Sequence, residues 1–185
     1  KKITIGNPKL SSSDAKAYTL ITSIAVPHSD AKEIDYSHNG TVNLDQFTTE
    51  NKVINWKIPE GKWDIISFFM ANTGQKLECP SPNSDGLIID HLSRRATKRD
   101  FDTILTRLAT VMTPENQLKF LELDSYEVWA ARDWTPDFLE QFKIRCGYDP
   151  KLFLPILQGY RSKDSALGER FLGDAGTTDH VAALQ

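Results

Sequence analysis

The chain has 185 residues, of which 39% are hydrophobic and 25% charged, and it carries a formal net charge of −3. That balance describes one large or two small globular domains, and it excludes a wholly disordered chain. No apolar run approaches the length of a membrane span, and the basic cluster Arg94-Arg95 with Lys98-Arg99 is bounded by acids and reads as a solvated helix face, not a nucleic-acid surface.

The N-terminus begins Lys1-Lys2-Ile3-Thr4, with no signal peptide and no initiator methionine. At the other end, Thr177 to Gln185 starts an amphipathic pattern and stops without a cap. The expectation is a chain excised from a longer protein.

Residues 1–80 are expected to form a small antiparallel β domain or half-sandwich. Tyr18 to Pro27 is rich in β-branched residues, although its alternation of apolar and polar positions is imperfect. Val53 to Ile58 and Trp63 to Ala71 read as two strands, joined by Pro59-Glu60-Gly61-Lys62 as a hairpin. His38-Asn39-Gly40-Thr41 reads as a further turn. Residues 72–86 are too rich in Pro, Ser and Gly for a regular element and read as a loop that could line a site.

Residues 81–185 change grammar to strand then helix. Leu87-Ile88-Ile89 is a short apolar run suited to a strand buried on both faces, closed by Asp90. Ser93 is placed to cap a helix over 94–112, whose Phe101, Ile104, Leu105 and Leu108 recur at helical spacing. Pro114 ends that helix, and Leu118 to Leu123 reads as the next strand. Thr135-Pro136-Asp137 predicts another helix start, with Thr135 as the cap and Phe138, Leu139 and Phe142 on the buried face. Gly147 stops it. Lys151 to Gln158 and Asp164 to Leu172 read as shorter helices. The fold class expected from this order is α+β, an antiparallel β domain followed by βα units.

Chemistry concentrates at Leu121-Glu122-Leu123-Asp124-Ser125-Tyr126-Glu127, an apolar run ending in carboxylates, followed by Trp134. In parallel α/β architectures functional residues gather at the C-terminal ends of strands, and both Asp90 and the Asp124–Glu127 group fall at such positions. Hydrolysis of a glycosidic bond needs a carboxylic acid to protonate the leaving oxygen and a carboxylate to activate water or attack the sugar. Glu127 is the leading catalytic candidate, against a solvated or ion-paired Glu. Asp124 is a candidate for binding a sugar hydroxyl or orienting Glu127, against a loop-start Asp capping backbone amides. Asp90, with His91, is a hydroxyl ligand, a supporting group or a turn residue. Trp134 is a candidate sugar platform or a core aromatic under the following helix, and Trp129 is open in the same way. His91 has no partners at zinc spacing. Cys79 and Cys146 match no metal motif and read as two unpaired thiols, with a disulfide as the alternative. The rival reading of the whole chain is a non-catalytic carbohydrate-binding or structural module with incidental acids.

A longer pattern runs through these residues. Asp124-Ser125-Tyr126-Glu127, Trp134-Thr135-Pro136-Asp137-Phe138, Phe142, Cys146-Gly147-Tyr148-Asp149-Pro150 and Leu154-Pro155-Ile156-Leu157-Gln158-Gly159 stand in one order. Together they resemble the "DSWE" and "WTPxFxxxFxxRxGYDPxxYLPxLxG" segments of the α-L-rhamnosidases of glycoside hydrolase family 106. Pro59-Glu60-Gly61-Lys62-Trp63 is similar to the family's "PxGxW" hairpin. Thr73-Gly74, Ser81-Pro82, Gly86-Leu87, Asp90 and Leu92-Ser93 are similar to its "TG…SP…GLxxDxLS" segment. Glu169-Arg170-Phe171-Leu172 with Asp174 follows "ERFLxDxRxT", and Gly176 departs from it where the arginine would stand.

The resemblance covers nearly the whole chain, and family members are several times longer. It implies a (β/α)8 catalytic barrel of which 81–185 supplies βα units, with residues 1–80 as an attached β domain. It further implies calcium near the site, a rhamnose-containing oligo- or polysaccharide substrate, a periplasmic or extracellular location, and inversion at the anomeric carbon with Glu127 as general acid. The opposing carboxylate would come from a later barrel strand, so the chain alone is expected to be inactive. An incomplete barrel would also expose strand edges and apolar helix faces, which invites self-association.

Overall fold

The computed structural model describes residues 1–8, 18–36, 40–80, 82–83, 86–122, 128 and 133–162. These fall into two compact units, one built from residues within 1–71 and 137–162, the other from 72–136. The described fold is α+β, with antiparallel sheets and a few helices.

The first unit is organised by β2 (Tyr18–Pro27), preceded by the short β1 (Lys2–Thr4) and followed by β3 (Glu33–Ile34), β4 (Val42–Asn43), β5 (Val53–Asn55) and β6 (Trp63–Ala71). β2 pairs antiparallel with β6 from Tyr18↔Ala71 to Pro27↔Trp63, and with β4 on its other edge, giving the order β4-β2-β6. The register with β6 shifts between Leu20 and Thr22, so Ile21 is an extra residue on the bulged strand. From Thr22 to Val26 every residue is buried. Ile24 and Val26 enter one core, with Ile34 and Tyr160, while Ala25 enters another, with Leu44, Ile54 and Trp56. The imperfect alternation of this strand thus has two causes: a bulge that resets its phase, and apolar cover on both faces.

The expected hairpin between the strands at 53–58 and 63–71 does not form. β6 pairs with β2, and β5 pairs antiparallel with β1 in a separate sheet, Ile3 opposite Ile54. The Pro59–Lys62 connection is therefore a corner between sheets. Gly61 takes φ 108° there, a conformation that costs a residue without Cβ little. The two sheets meet through the second core, where the rings of Trp56 and Trp63 pack edge to face at 5.3 Å. That contact packs the buried Trp56 against the half-buried Trp63 across the corner.

The remainder of this unit is α2 (Phe138–Cys146), a 3-10 helix over Pro150–Gln158 and β7 (Arg161–Ser162), which pairs in parallel with β3. Phe138 and Phe142, four apart, form the buried face of α2. Phe142 meets Tyr148 at 5.2 Å, Tyr148 meets Phe153 at 5.7 Å, and Phe153 meets Tyr36 at 4.9 Å. This aromatic series carries the packing from α2 through the 3-10 helix to the first core. Gly147 ends α2 in the left-handed region at φ 81°, as expected for a stop. Asp149 caps the 3-10 helix by accepting from the Lys151 amide at 3.0 Å.

In the second unit, α1 (Arg94–Ala109) begins where expected, with the Ser93 hydroxyl accepting from the Ala96 amide. Its apolar stripe is present but has no buried residue. The two strands expected here do not form. Leu87 makes a single antiparallel bridge to Lys76 and is 50% exposed, so the run 87–89 lacks the two-sided cover that a buried strand needs. Residues 118–122 are in no strand, and Phe120 is 88% exposed. Three of the expected features touch the limits of the description. Residues 38–39 of the expected turn, residue 123, and the expected helix at 164–172 lie outside the described residues.

Candidate functional site

Asp90 is the sequence-predicted site residue whose contacts are fully drawn. Its Oδ1 accepts from the Leu92 amide at 3.0 Å, and its backbone carbonyl accepts from the Ser93 amide at 3.1 Å. This local turn sets Ser93 in position to cap α1. Asp90 Oδ2 accepts from the Thr135 hydroxyl at 2.8 Å, across 45 residues of sequence. Asp90 therefore follows a bridge and opens a turn; no strand ends there.

Thr135 corrects the expectation that it caps the following helix. It is 4% exposed and its hydroxyl is committed to Asp90. The N-cap of α2 is Asp137, whose side chain makes no capping bond. The physical reason is the next residue. A residue before proline is steered to extended backbone, and from there the Thr135 hydroxyl serves a distant carboxylate. The Thr-Pro pair was the available signal, and it admitted both outcomes.

Trp134 is half-buried beside this bond and has contacts of its own. His91 is exposed and also has a partner. The Asp90–Thr135 bond thus joins the chain before residues 123–132 to the chain after them. Asp124, Glu127 and Trp129 lie in that interval and outside the described residues.

The first unit holds two polar clusters that sequence reading missed. Asp45 Oδ1 accepts from the Thr22 hydroxyl at 2.7 Å, and Oδ2 accepts from Lys151 Nζ at 2.8 Å and from the Asn43 amide at 3.3 Å. Burial alone would raise the Asp45 pKa, but the bonds from Lys151, Thr22 and Asn43 outweigh it and hold the carboxyl below its usual range. The second cluster gathers His28, Asp30, Asp64 and Tyr160. No local pattern marks either, because the bonded pairs are 23 to 106 residues apart, except those made by Asn43 and Asp30.

Neither cluster is a metal centre. The oxygens of Asp45 already accept from four protein donors, counting the Ser23 amide at 3.4 Å. Among the described residues no group of three or more His, Cys, Asp and Glu could hold a metal ion. Cys79 and Cys146 form no disulfide with each other. Among the described residues no helix is long and apolar enough to cross a membrane.

Comparison with known proteins gives these residues a context. The family model described as α-L-rhamnosidase, glycoside hydrolase family 106, matches residues 13–181. A protein of Formosa agariphila, provisionally named a beta-glucuronidase, is 32% identical over 139 residues. That match takes in 72% of this chain and 12% of the relative, so the chain spans a small part of the relative's length. No solved structure matches. The range of the family match takes in the Asp90 turn, the Asp124–Glu127 segment and the Trp134–Gly159 motif, and the chain belongs to the α-L-rhamnosidase family of glycoside hydrolases, family 106.

Proposed function

We propose that this chain is the acid-bearing part of a glycosidase that removes terminal α-L-rhamnosyl groups with inversion. Glu127 is the general acid, held protonated by apolar or acidic neighbours until it donates to the leaving oxygen. Asp124 orients Glu127 or accepts from a sugar hydroxyl, and Trp134 offers a ring to the apolar face of the sugar. Asp90 is a positioning residue: through Thr135 it holds the chain that follows the Asp124–Glu127 segment. The opposing carboxylate, roughly 6.5–9.5 Å from the first in an inverting enzyme, belongs to a later strand of a (β/α)8 barrel. The complete enzyme holds calcium near this site through several oxygen ligands. The substrate, a rhamnose-containing oligo- or polysaccharide, implies work in the periplasm or outside the cell.

The observation that supports this reading most is the family match over residues 13–181, because it spans the whole ordered motif and not one short piece of it. The relative's provisional name favours a second reading, in which the same acid serves a β-glucuronosyl bond. The test uses a chain extended to the relative's length, assayed on nitrophenyl α-L-rhamnoside and β-D-glucuronide. Release from the rhamnoside alone is expected. Glu127→Gln should lower kcat by about 10²–10⁴-fold, the usual contribution of a general acid, with KM little changed. The 185-residue chain by itself should release nothing. Turnover of the glucuronide alone would transfer the proposal to that substrate, and undiminished activity in Glu127→Gln would remove Glu127 from the acid role.

A further inference from the structure

We propose that the basic face of α1 binds an anionic polysaccharide through the carboxylate or sulfate groups that such a chain carries at intervals. α1 holds five cations, Arg94, Arg95, Lys98, Arg99 and Arg107, against two acids, Asp100 and Asp102, a net +3. The whole chain sums to −3, so everything outside α1 sums to −6. Positive charge is thus concentrated on one helix of an otherwise acidic chain.

The placement of that charge runs against helix stability. Four of the five cations fall in the first two turns, and the first turn holds no acid. The N-terminal end of a helix is already positive, so cations there are disfavoured. Lys98 is paired with Asp102. Among the described residues, Arg95, Arg99 and Arg107 have no carboxylate partner, and all three are exposed. A local rule broken without compensation is the mark of a functional surface.

The four cations from Arg95 to Arg107 line one open groove, with Thr103 and Thr106 between them. Phe101, Ile104 and Leu108 recur on the opposite face of the helix. Whatever covers that apolar stripe leaves the groove open. From Arg95 to Arg107 the row is about 18 Å long, which suits a chain with repeated charges better than one small anion. Guanidinium groups pair with planar oxyanions through two parallel bonds. The Thr103 hydroxyl donates to the Arg99 carbonyl at 2.8 Å, and its oxygen is left to accept from a sugar hydroxyl. Duplex DNA carries one negative charge per about 1.7 Å, hence about ten along this row. Four cations do not balance that density, whereas a sparsely charged polysaccharide meets them one by one. A carbohydrate ligand also agrees with the glycoside hydrolase family of the chain. The inference rests on the proposed function in one respect: the ligand is the polysaccharide from which rhamnose is removed.

The test titrates the 185-residue chain, followed by NMR at the α1 amides. The probes are oligogalacturonate, a sulfated dextran oligomer, a neutral dextran oligomer of equal length and poly-L-glutamate. A charged saccharide should shift the amides from Arg95 to Arg107, less so as NaCl is raised, while the neutral dextran leaves them in place. A response to oligogalacturonate alone assigns a uronate carboxylate, and a response to sulfated dextran alone assigns a sulfate ester. The double substitution Arg95→Gln with Arg99→Gln should weaken binding several-fold and leave β2 amides unmoved. Arg99→Lys should lose part of the affinity although it keeps the charge, because the two-bonded pairing is lost. No shift with either charged saccharide, or undiminished affinity in the double variant, would overturn the proposal. Poly-L-glutamate bound as tightly as the saccharides would overturn it in favour of an acidic protein. Binding is read without turnover, so its failure leaves the role of Glu127 standing, and an inactive extended enzyme leaves this binding standing.

Discussion

Tyr36 has a hydroxyl buried without a hydrogen-bond partner, while its ring leans on Phe153 at 4.9 Å. Burial also pushes its ionisation well above the usual phenol range. A buried unpaired hydroxyl costs about 1–3 kcal/mol, so Tyr36→Phe should keep the ring packing and gain up to about 1 kcal/mol in urea unfolding. A loss of stability would mean the hydroxyl has a partner. Residues differ in how far local sequence reveals them. Asp90 was legible as a turn residue from its neighbours Leu92 and Ser93, whose amides it satisfies. Its bond to Thr135 was not, because nothing near either residue specifies a partner 45 positions away. Gly40 is similar: an added Cβ would fall onto the Asp35 carbonyl, a close approach that only the folded chain reveals.

At the scale of elements, the signals that worked are short-range. Ser93 starts α1 and Gly147 stops α2 because caps and left-handed stops act within one helical turn. Ser93→Ala should therefore destabilise α1 by about 1 kcal/mol. Because α1 has no buried residue to mask the loss, the effect should appear as faster amide exchange at Ala96 and Thr97. Unchanged exchange there would mean that the cap is not what holds the first turn. Strand expectations fared unevenly for a physical reason. β2 and β6 were readable from β-branched and aromatic content, but strand pairing is a choice among partners. β6 pairs with β2 and not with β5, while Trp56 meets Trp63 across the Pro59–Lys62 corner. The runs at 87–89 and 118–122 have strand composition without neighbours to complete a ladder, and composition alone does not make a strand.

On the scale of the whole molecule, both hydrophobic clusters drawn from the described residues belong to the first unit. In the second unit Ile104, Leu105, Leu108, Val111, Leu118 and Leu121 remain exposed. Local stability follows buried apolar contact, so limited proteolysis should cut within 86–122 before it cuts β2 or β6. Initial cleavage inside Tyr18–Pro27 would contradict that order. What the amino-acid sequence determined by itself was the start of α1, the stop of α2, the strands β2 and β6, and the family, because β-branching, caps, glycine stops and an ordered motif are each written in neighbouring residues. Only the tertiary structure decided the sheet order β4-β2-β6, the Asp90–Thr135 bond and the contact of His28 with Asp64. Most of those contacts close loops of tens of residues, and the free energy that selects one closure over another comes from burial and polar satisfaction at the far end.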